Sequence, residues 1–501
     1  MNVNIADPKI AAAELWADFK PIKTPDEYIK SLRGRDMKVY YLGERIAEPV
    51  DHPVIRPSMN AMAETYQLAI DNPAVATASS KIAGITVNCF LHVPEGPDDL
   101  VQKHEMQREL GRRTGTCFQR CVGVDAIGSL HSVTYDMDQK HNTAYHHRFL
   151  NFLQRIQKLN LIVGGAMTDP KGDRSKAPHE QSDPDLFLHV TKRTDEGIYV
   201  KGAKMHQTGC INSHWIIFMP TMRLCENDRD YAVIGAVRAD TPGITYIYGR
   251  QSCDTRIMDG GSIDAGNANF SGQEATVIFD NVFIPHEHIL MDGEVEFAAP
   301  LVERFTAYHR ASYVCKTGLG DVLVGAAATA ADYNGVEKVS HIRDKLVEMT
   351  HLNETIYSSS MASAYRAQKM ESGAWLNDQM LANVCKHNVT RFPYELSRLA
   401  QDIAGGLMVT MPSEKDLENS ETGDLIRKFI KGRDGTDAVD RMKILRLIEN
   451  MTLGRNAVGY LTESMHGAGS PQAQRIQIAR LTKMDENKAR AKCLAGIDDQ
   501  S

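Results

Sequence analysis

In the sequence Leu186-Phe-Leu-His-Val-Thr-Lys-Arg-Thr-Asp-Glu-Gly-Ile-Tyr-Val-Lys-Gly202, two β-rich runs flank the polar turn Thr194-Asp195-Glu196. This pattern predicts a β-hairpin, because turn residues separate two runs that favour extended backbone. Further β-rich runs follow in the same region, at residues 215–219, 231–237, 244–248 and 276–284. Short strands at this spacing predict a small barrel or sandwich in the middle of the chain.

Helical periodicity surrounds this β-rich region on both sides. Before it, apolar residues recur at helical spacing in residues 25–32, 59–70, 100–110, 116–135 and 145–159. After it, long periodic segments at residues 317–334, 336–370, 377–403 and 437–465 predict a helical bundle. The sequence therefore predicts an α+β protein in three parts: an N-terminal helical domain at residues 1–158, a middle β-barrel domain at 159–295 and a C-terminal helical bundle at 296–501.

The composition is that of a soluble globular protein. The 501 residues are 42% hydrophobic and carry a net charge of -7, which argues against a general nucleic-acid binder because such proteins present a basic surface. No apolar run reaches the roughly 20 residues that cross a bilayer, and the N-terminus does not resemble a secretory signal. Nine scattered cysteines do not form a disulfide framework. We therefore expect a cytoplasmic protein without a membrane partner.

Two cysteines stand four residues apart in Cys117-Phe-Gln-Arg-Cys121. Within the helix predicted over 116–135, this spacing places both thiols on one face, about 40° apart and one turn along. His309 and Cys315 follow much later, in Tyr308-His-Arg-Ala-Ser-Tyr-Val-Cys-Lys316. Three thiols and one imidazole suit zinc, copper(I) or an iron–sulfur centre. The alternative is that these are ordinary buried cysteines, which pack as small apolar side chains.

Two polar stretches flank the predicted hairpin, Met167-Thr-Asp-Pro170 and Lys204-Met-His-Gln-Thr-Gly209. Hydroxyl, amide and cationic groups beside glycine suit a cofactor with a polar ring and a phosphate tail. Two well-bonded turns would show the same pattern. Asp402-Ile-Ala-Gly-Gly406 ends a predicted helix, so its glycines are either a C-cap or a backbone that approaches a phosphate.

A third polar stretch is Glu463-Ser-Met-His-Gly-Ala-Gly-Ser-Pro471. A carboxylate and an imidazole this close can share acid–base work, or they cap a helix and bond a loop. Glu274 is either a solvent-facing or a positioned acid. The ferredoxin-type cysteine run, the HExxH zinc motif, the Rossmann fingerprint and the P-loop are all absent from the sequence.

Taken together, six stretches resemble the 4-hydroxybutyryl-CoA dehydratase family of the 4-hydroxyphenylacetate 3-hydroxylase superfamily. They are residues 116–123, 165–174, 248–256, 308–310, 402–406 and 462–471. They are long and occur in the family's order, and the similarity extends from about Thr24 to the C-terminus. The superfamily looks like the acyl-CoA dehydrogenases in fold, which agrees with the predicted order of helices, β domain and bundle.

The resemblance implies a homotetrameric lyase that binds FAD near its subunit interfaces and a [4Fe-4S] cluster. The cluster ligands would be Cys117, Cys121, His309 and Cys315. The FAD-binding residues of one subunit would be Met167, Thr168, Asp169, Lys171, Arg174, His206, Gln207 and Thr208. A neighbouring subunit would add Asp402, Gly405 and Gly406. The resemblance gives His309 the role of catalytic base and Glu463 that of its acid–base partner, with Glu274, Tyr313 and Lys316 close by.

The implied reaction converts 4-hydroxybutyryl-CoA into crotonyl-CoA, with isomerisation of vinylacetyl-CoA as a side activity. It is difficult because the leaving hydroxyl is on C4 and the hydrogen on C3 is not acidic. The resemblance implies a flavin-assisted ketyl-radical mechanism in which iron acts as a Lewis acid for the hydroxyl. The alternatives are an isomerase that cannot dehydrate and a flavin-dependent aromatic hydroxylase without the cluster.

One spacing departs from the family pattern. The family places its cysteine seven residues after the histidine, whereas Cys315 follows His309 by six. On a regular helix a separation of seven leaves two side chains about 20° apart, and a separation of six leaves them about 120° apart. We therefore expect a bulge, a 3₁₀ turn or a break at residues 312–314, which would bring both side chains to one centre.

Overall fold

The computed structural model describes residues 14–250, 254–261 and 263–497. Helices come first, strands occupy the middle and helices follow again, which confirms the predicted order of elements. The domain boundaries at 158/159 and 295/296 stay predictions. Gln251, Ser252 and Cys253, which belong to the 248–256 motif, lie outside the described residues.

The first part of the chain is mainly helical. Its helices are α1 (Pro25–Ser31), α2 (Arg56–Asp71), α3 (Pro73–Ala76), α4 (Pro97–Thr114), α5 (Cys121–His141) and α6 (Tyr145–Leu159). Helix α1 begins at a capping box in which Thr24 and Glu27 bond each other's backbone N–H groups. Helix α4 ends at Gly115, which has a φ of 59°. Glycine adopts this left-handed conformation more readily than residues with a side chain. Four short strands accompany these helices: β1 (Lys38–Tyr41), β2 (Glu44–Ile46), β3 (Thr77–Ser80) and β4 (Ile85–Asn88).

The middle part contributes eight strands to two sheets. They are β5 (Val163–Ala166), β6 (His189–Arg193), β7 (Gly197–Thr208), β8 (Trp215–Phe218), β9 (Val233–Arg238), β10 (Ile244–Tyr248), β11 (Glu274–Pro285) and β12 (Ile289–Asp292). One sheet has the order β2-β1-β10-β11-β7-β6 and the other β12-β9-β8-β5. The antiparallel β6–β7 pair confirms the predicted hairpin. Across the described residues both sheets are open, so the expected closed barrel is not found.

Both sheets share one apolar core with helices α5 and α6. Val200 and Val277 of the larger sheet, Ile216 of the smaller sheet and Leu130 and Phe149 of the helices are fully buried in it. Alternating buried residues along β7 and β11 direct one face of the larger sheet into this core. The packing of α5 against the sheets holds the start of that helix, where Cys121 lies, at a fixed position.

The last part of the chain is a helical bundle with its own apolar core. Its helices are α7 (Ala298–Ser312), α8 (Cys315–Tyr333), α9 (Ser340–Tyr365), α10 (Gln379–Val389), α11 (Phe392–Ala404), α12 (Leu407–Thr410), α13 (Glu414–Glu418), α14 (Gly423–Ile430), α15 (Ala438–Thr452), α16 (Glu463–His466), α17 (Pro471–Leu481) and α18 (Met484–Leu494). The strands β13 (Gln368–Lys369) and β14 (Trp375–Leu376) form a small hairpin between α9 and α10.

Two of the long predicted helices are interrupted. The segment 377–403 is divided between α10 and α11, with Pro393 in the first turn of α11, because proline has no N–H to continue a preceding helix. The segment 437–465 ends as α15 at Thr452 and resumes through a π-helical turn, Val458–Thr462, into α16. Each prediction of a single continuous helix is therefore wrong.

The stretch Val295–Tyr333 is long and apolar enough to cross a membrane by length and composition. It consists of α7, a turn and α8, and 67% of its apolar window is buried inside the protein. Packing in the bundle core accounts for this apolar character.

Helices α4 and α8 touch backbone to backbone through two glycines. A β-carbon on Gly318 would lie 2.1 Å from the Arg108 carbonyl oxygen, and one on Gly111 would lie 2.5 Å from the Cys315 carbonyl oxygen. Arg108 also bonds both carboxylate oxygens of Asp321, each at 2.9 Å. These contacts fix the start of α8, and with it Cys315, against α4.

We expect Gly318→Ala to lower the free energy of unfolding by about 1–3 kcal/mol, because the added methyl meets backbone that cannot move aside. The matched control is Gly325→Ala on the same helix, where the methyl enters open space and the better helix former should stabilise by about 0.5–1 kcal/mol. Denaturant or thermal unfolding of both variants tests this. Equal stability of the two variants would contradict the close contact.

Candidate active site and metal centre

Cys117 and Cys121 reach one cavity by a loop and not along a single helix. Cys121 is the first residue of α5, and Cys117 lies in the loop before it. Between them Gln119 adopts φ of 68°, which interrupts any helical path. Its amide donates to the Ser58 carbonyl oxygen at 2.8 Å, which holds the loop in place. The helix predicted over 116–135 is therefore wrong at its start.

His309 and Cys315 belong to two different helices. Helix α7 ends at Ser312 and α8 begins at Cys315, with Tyr313 and Val314 between them. The Val314 N–H bonds the Ala311 carbonyl at 3.1 Å, which is the i−3 contact of a tight turn. The expected break at 312–314 is confirmed.

Cys117, Cys121, His309 and Cys315 all line one cavity. The other lining residues are Gln119, Val122, Thr208, Ser312, Tyr313, Lys316 and Glu463. The thiols of Cys121 and Cys315 lie within hydrogen-bonding contact of each other. The structure therefore brings together the four side chains that the sequence separates by almost two hundred positions.

The protonation of the thiols depends on burial and on their mutual contact. Burial raises the pKa of Cys117, and the Cys315 hydrogen bond together with burial raises that of Cys121. The same hydrogen bond, assisted by Lys316, lowers the pKa of Cys315. Metal binding would displace the remaining thiol protons, since coordination requires thiolates. Three soft thiolates and an imidazole fit zinc or an iron–sulfur cluster.

The His309 ring is held by Asp125, a fully buried residue of α5. Asp125 Oδ2 lies 2.7 Å from His309 Nδ1, and Asp125 Oδ1 accepts from Lys103 Nζ at 2.5 Å and from Ser312 Oγ at 3.0 Å. Burial alone would raise the pKa of Asp125, but Lys103 and His309 outweigh it and lower the pKa. The carboxylate is therefore a stable acceptor beside the imidazole.

Glu463 is fixed by two residues of the cavity wall. Lys316 donates to Glu463 Oε2 at 3.0 Å and to the Gly459 carbonyl at 2.7 Å, and the Tyr313 hydroxyl lies 3.4 Å from Glu463 Oε1. The π-helical turn Val458–Thr462 ends directly before Glu463 and presents it to the cavity. The result is a positioned carboxylate with a buried cation beside it.

Glu274 approaches the cavity from the larger sheet. It is paired with Thr208 across β11 and β7, and the Thr208 hydroxyl contacts its two carboxylate oxygens at 2.8 and 2.7 Å. Burial, reinforced by the nearby charge of Glu463, raises the pKa of Glu274 well above its usual range. The raised pKa favours the protonated form of Glu274. Its partner Thr208 lines the cavity.

Four residues beside this cavity were not found from the sequence: Lys103, Gln107, Asp125 and Lys386. The Gln107 amide donates to Cys121 Sγ at 3.4 Å. Lys386 Nζ lies 4.0 Å from the centre of the Tyr313 ring, and burial lowers its pKa to about 7. For two of these residues the sequence holds a signal: Lys103 and Gln107 are spaced i,i+4, which places them on one face of α4, where both are buried.

The residues predicted to bind FAD do not all lie together. His206 and Thr208 lie at the end of β7, where burial and then the charges of Lys171 and His466 lower the pKa of His206. Gln207 accepts from the Met167 N–H at 3.0 Å and donates to the Thr168 carbonyl at 3.1 Å. Gln207 is therefore buried and bonded to backbone, and of these neighbouring residues Thr208 is the one that lines the cavity.

The remaining predicted FAD-binding residues are placed differently. The Asp169 carboxylate is buried and accepts hydrogen bonds from Lys204 Nζ at 2.5 Å and from the Thr221 hydroxyl at 2.9 Å. Both of its partners are therefore residues of the protein itself. Arg174 is exposed on its loop. Asp402 pairs with Lys345 at 2.6 Å near the end of α11. Gly405 is the C-cap of that helix and Gly406 follows it, so the capping interpretation holds within one chain.

The chain matches both halves of one protein family. Residues 24–291 match the family model for the N-terminal part of 4-hydroxyphenylacetate 3-hydroxylase, and residues 298–496 match that for its C-terminal part. A 4-hydroxybutyryl-CoA dehydratase/vinylacetyl-CoA-Δ-isomerase from Clostridium aminobutyricum is 54% identical over 490 residues, which cover 95% of this chain and 100% of that protein.

Solved structures show the same relationship. An oxygen-tolerant archaeal 4-hydroxybutyryl-CoA dehydratase from N. maritimus is 66% identical, with a TM-score of 0.95 over 96% of each chain. The oxygenase component of a 4-hydroxyphenylacetate 3-monooxygenase, solved with FAD, shares the fold with a TM-score of 0.83 at 21% identity, over 94% of this chain and 98% of that chain. A glutaryl-coenzyme A dehydrogenase shows a more distant likeness of fold, with a TM-score of 0.50 at 11% identity over 99% of this chain and 98% of that chain. The chain therefore belongs to the 4-hydroxyphenylacetate 3-hydroxylase family and, within it, to the 4-hydroxybutyryl-CoA dehydratases.

Proposed function

We propose that this protein dehydrates 4-hydroxybutyryl-CoA to crotonyl-CoA and isomerises vinylacetyl-CoA as a side activity. The observation that carries the proposal is the convergence of Cys117, Cys121, His309 and Cys315 on one cavity whose wall also holds Lys316. The high identity to relatives that are named for this dehydration supports it.

The proposed cofactors are a [4Fe-4S] cluster and FAD. Cys117, Cys121, Cys315 and His309 would hold the cluster. When bound, the cluster would supply a Lewis-acidic iron for the leaving hydroxyl, and the flavin would supply reversible one-electron chemistry. A relative of the same fold was solved with FAD, which supports a flavin as cofactor.

FAD would lie between Thr208 at the cavity wall and the Lys171–His206 region. Asp402, Gly405 and Gly406 would contact the FAD of a neighbouring subunit in a homotetramer. Within one chain they cap helix α11, which leaves their backbone at a helix end. The described cysteines are all free, which supports the proposal that the enzyme works in the reducing cytoplasm.

The substrate's protons would be moved by two side chains of the cavity wall. His309 would take the proton from C2 through Nε2 after that nitrogen has left the metal, because Asp125 occupies Nδ1. Glu463 would take the second proton, from C3, and return a proton to C4, which becomes the methyl group of crotonyl-CoA. Lys316 holds Glu463 Oε2, which leaves Oε1 on the side of the Tyr313 hydroxyl.

The remaining polar groups would position the substrate and exclude water. Lys316 is 1% exposed and Glu274 is partly buried, so charge that develops on the substrate is screened weakly. A protonated Glu274 would donate a hydrogen bond to an oxygen of the acyl chain. These interactions strengthen as charge builds up on the substrate, which is the condition for catalysis.

The break between α7 and α8 favours the dehydratase over the two alternatives. A continuous helix would separate His309 from Cys315 by about 120°, so the two side chains could not share one centre. An isomerase that cannot dehydrate would have such a disabled centre. In the structure both residues line the same cavity. A hydroxylase without a cluster would leave three cysteines around one cavity without a use.

We expect Cys117→Ala or Cys121→Ala to abolish iron binding and dehydration, since a cluster that loses a thiolate ligand is not retained. Iron, sulfide and FAD per chain, measured on protein purified without oxygen, test this. Cys89→Ala is the matched control, because Cys89 is buried but does not line the cavity. Wild-type protein that contains FAD and no iron would refute the cluster and favour a hydroxylase or an isomerase.

Glu463→Gln should reduce kcat for both acyl-CoA substrates by about 10²–10⁴-fold, the usual contribution of a general acid–base group. The iron content should stay unchanged, because Glu463 is not a proposed ligand. Glu449→Gln is the control: Glu449 is 17% exposed, against 19% for Glu463, and is also ion-paired, but lies outside the cavity wall. Full turnover by Glu463→Gln would remove this residue from the mechanism.

A further inference from the structure

We infer that Asp125, held by Lys103, positions His309 so that Nε2 is the nitrogen presented to the metal centre. The inference rests on the proposed cluster and assigns positioning roles to two residues that do not line the cavity. Both are deeply buried, with Asp125 at 0% and Lys103 at 4% exposure.

The contacts of Asp125 account for both of its oxygens. Oδ2 lies 2.7 Å from His309 Nδ1, and Oδ1 accepts from Lys103 and Ser312. An ionised carboxylate only accepts, so the Nδ1 beside it must carry the ring's proton. The lone pair of a neutral imidazole is then on Nε2, and His309 is one of the residues that line the cavity.

The plane of the His309 ring is also restrained. The Phe305 ring stacks on it at 5.1 Å with an interplanar angle of 26°, and the Tyr313 ring meets it edge-on at 5.4 Å. A hydrogen bond at one nitrogen and two aromatic contacts leave the imidazole little freedom to rotate. The direction of Nε2 is therefore set before any metal binds.

Stability does not explain the buried Lys103–Asp125 pair. Removing two charges from water is costly, and an apolar pair of similar volume often stabilises a protein at least as well. Lys103 instead balances a carboxylate that has no contact with solvent, and so keeps it able to accept from His309. A carboxylate that orients a ligating histidine through its other nitrogen is a general feature of metal sites.

The test is the Asp125→Asn variant, purified as holoenzyme without oxygen and labelled with ¹⁵N-histidine. Electron–nuclear double resonance of the reduced cluster reports a nitrogen bound to iron. We expect wild type to show a ¹⁵N coupling that is weakened or lost in the variant, together with a roughly 10–100-fold loss of dehydration. An unchanged coupling in Asp125→Asn would overturn the inference.

A double variant separates positioning from charge balance. Lys103→Met combined with Asp125→Asn removes the ammonium that the single variant leaves unpaired. Positioning by the carboxylate predicts that the coupling stays weak in the double variant. Recovery of the wild-type coupling would show that Asp125 only neutralises Lys103, and would overturn the inference.

Asp228→Asn is the matched control. Asp228 is a 1% exposed carboxylate whose Oδ1 lies 2.7 Å from His179 Nδ1, the same distance as in the Asp125–His309 pair, and neither residue lines the cavity. Its substitution should leave the cluster spectrum unchanged. The test also distinguishes failure of the proposed function from failure of this inference. If the proposed function is wrong, wild type lacks iron. If only this inference is wrong, wild type keeps its cluster and its ¹⁵N coupling.

Discussion

The two-residue interruption between α7 and α8 is the constraint on which the candidate site depends. Tyr313 and Val314 end one helix and start the next within a single tight turn. Without the turn, the six-residue spacing would direct His309 and Cys315 to different faces of one helix. With it, both side chains meet Cys117 and Cys121, and the Tyr313 ring packs beside the imidazole. Backbone contact at Gly111 and Gly318 then holds the start of α8 in place.

The cavity is enclosed by structures of two kinds, and each supplies different chemistry. The helices and the loop before α5 supply the thiols, and the helices supply the imidazole and the Lys316–Glu463 pair. The larger sheet supplies Thr208 and its partner Glu274 from adjacent strands β7 and β11. Because the sheet and α5 share one apolar core, these two sets of side chains are held at fixed separation. Such fixed polar groups are the basis of electrostatic stabilisation in a dry site.

Charge inside the site is arranged in pairs. Lys103 faces Asp125 and Lys316 faces Glu463, so these two buried ammonium groups have carboxylate partners. Lys386 differs, because it lies over the Tyr313 ring and donates to the Ser464 carbonyl oxygen. Burial and the nearby cations Lys316 and Arg310 lower its pKa to about 7.

The sequence by itself determined the order of helices, strands and helices, the hairpin at Thr194–Glu196 and the candidate ligands, because periodicity and residue type are local properties. Only the tertiary structure decided how those residues meet. Gln119 breaks the expected helix because distant backbone holds its side chain, and Asp125 reaches His309 across 184 positions. The tertiary structure also decided that the two sheets are open, because closure depends on which strands pair and not on the sequence pattern of each strand. Long-range contacts of this kind leave no periodic signal in a single chain, since the partners are chosen by packing after the local elements have formed.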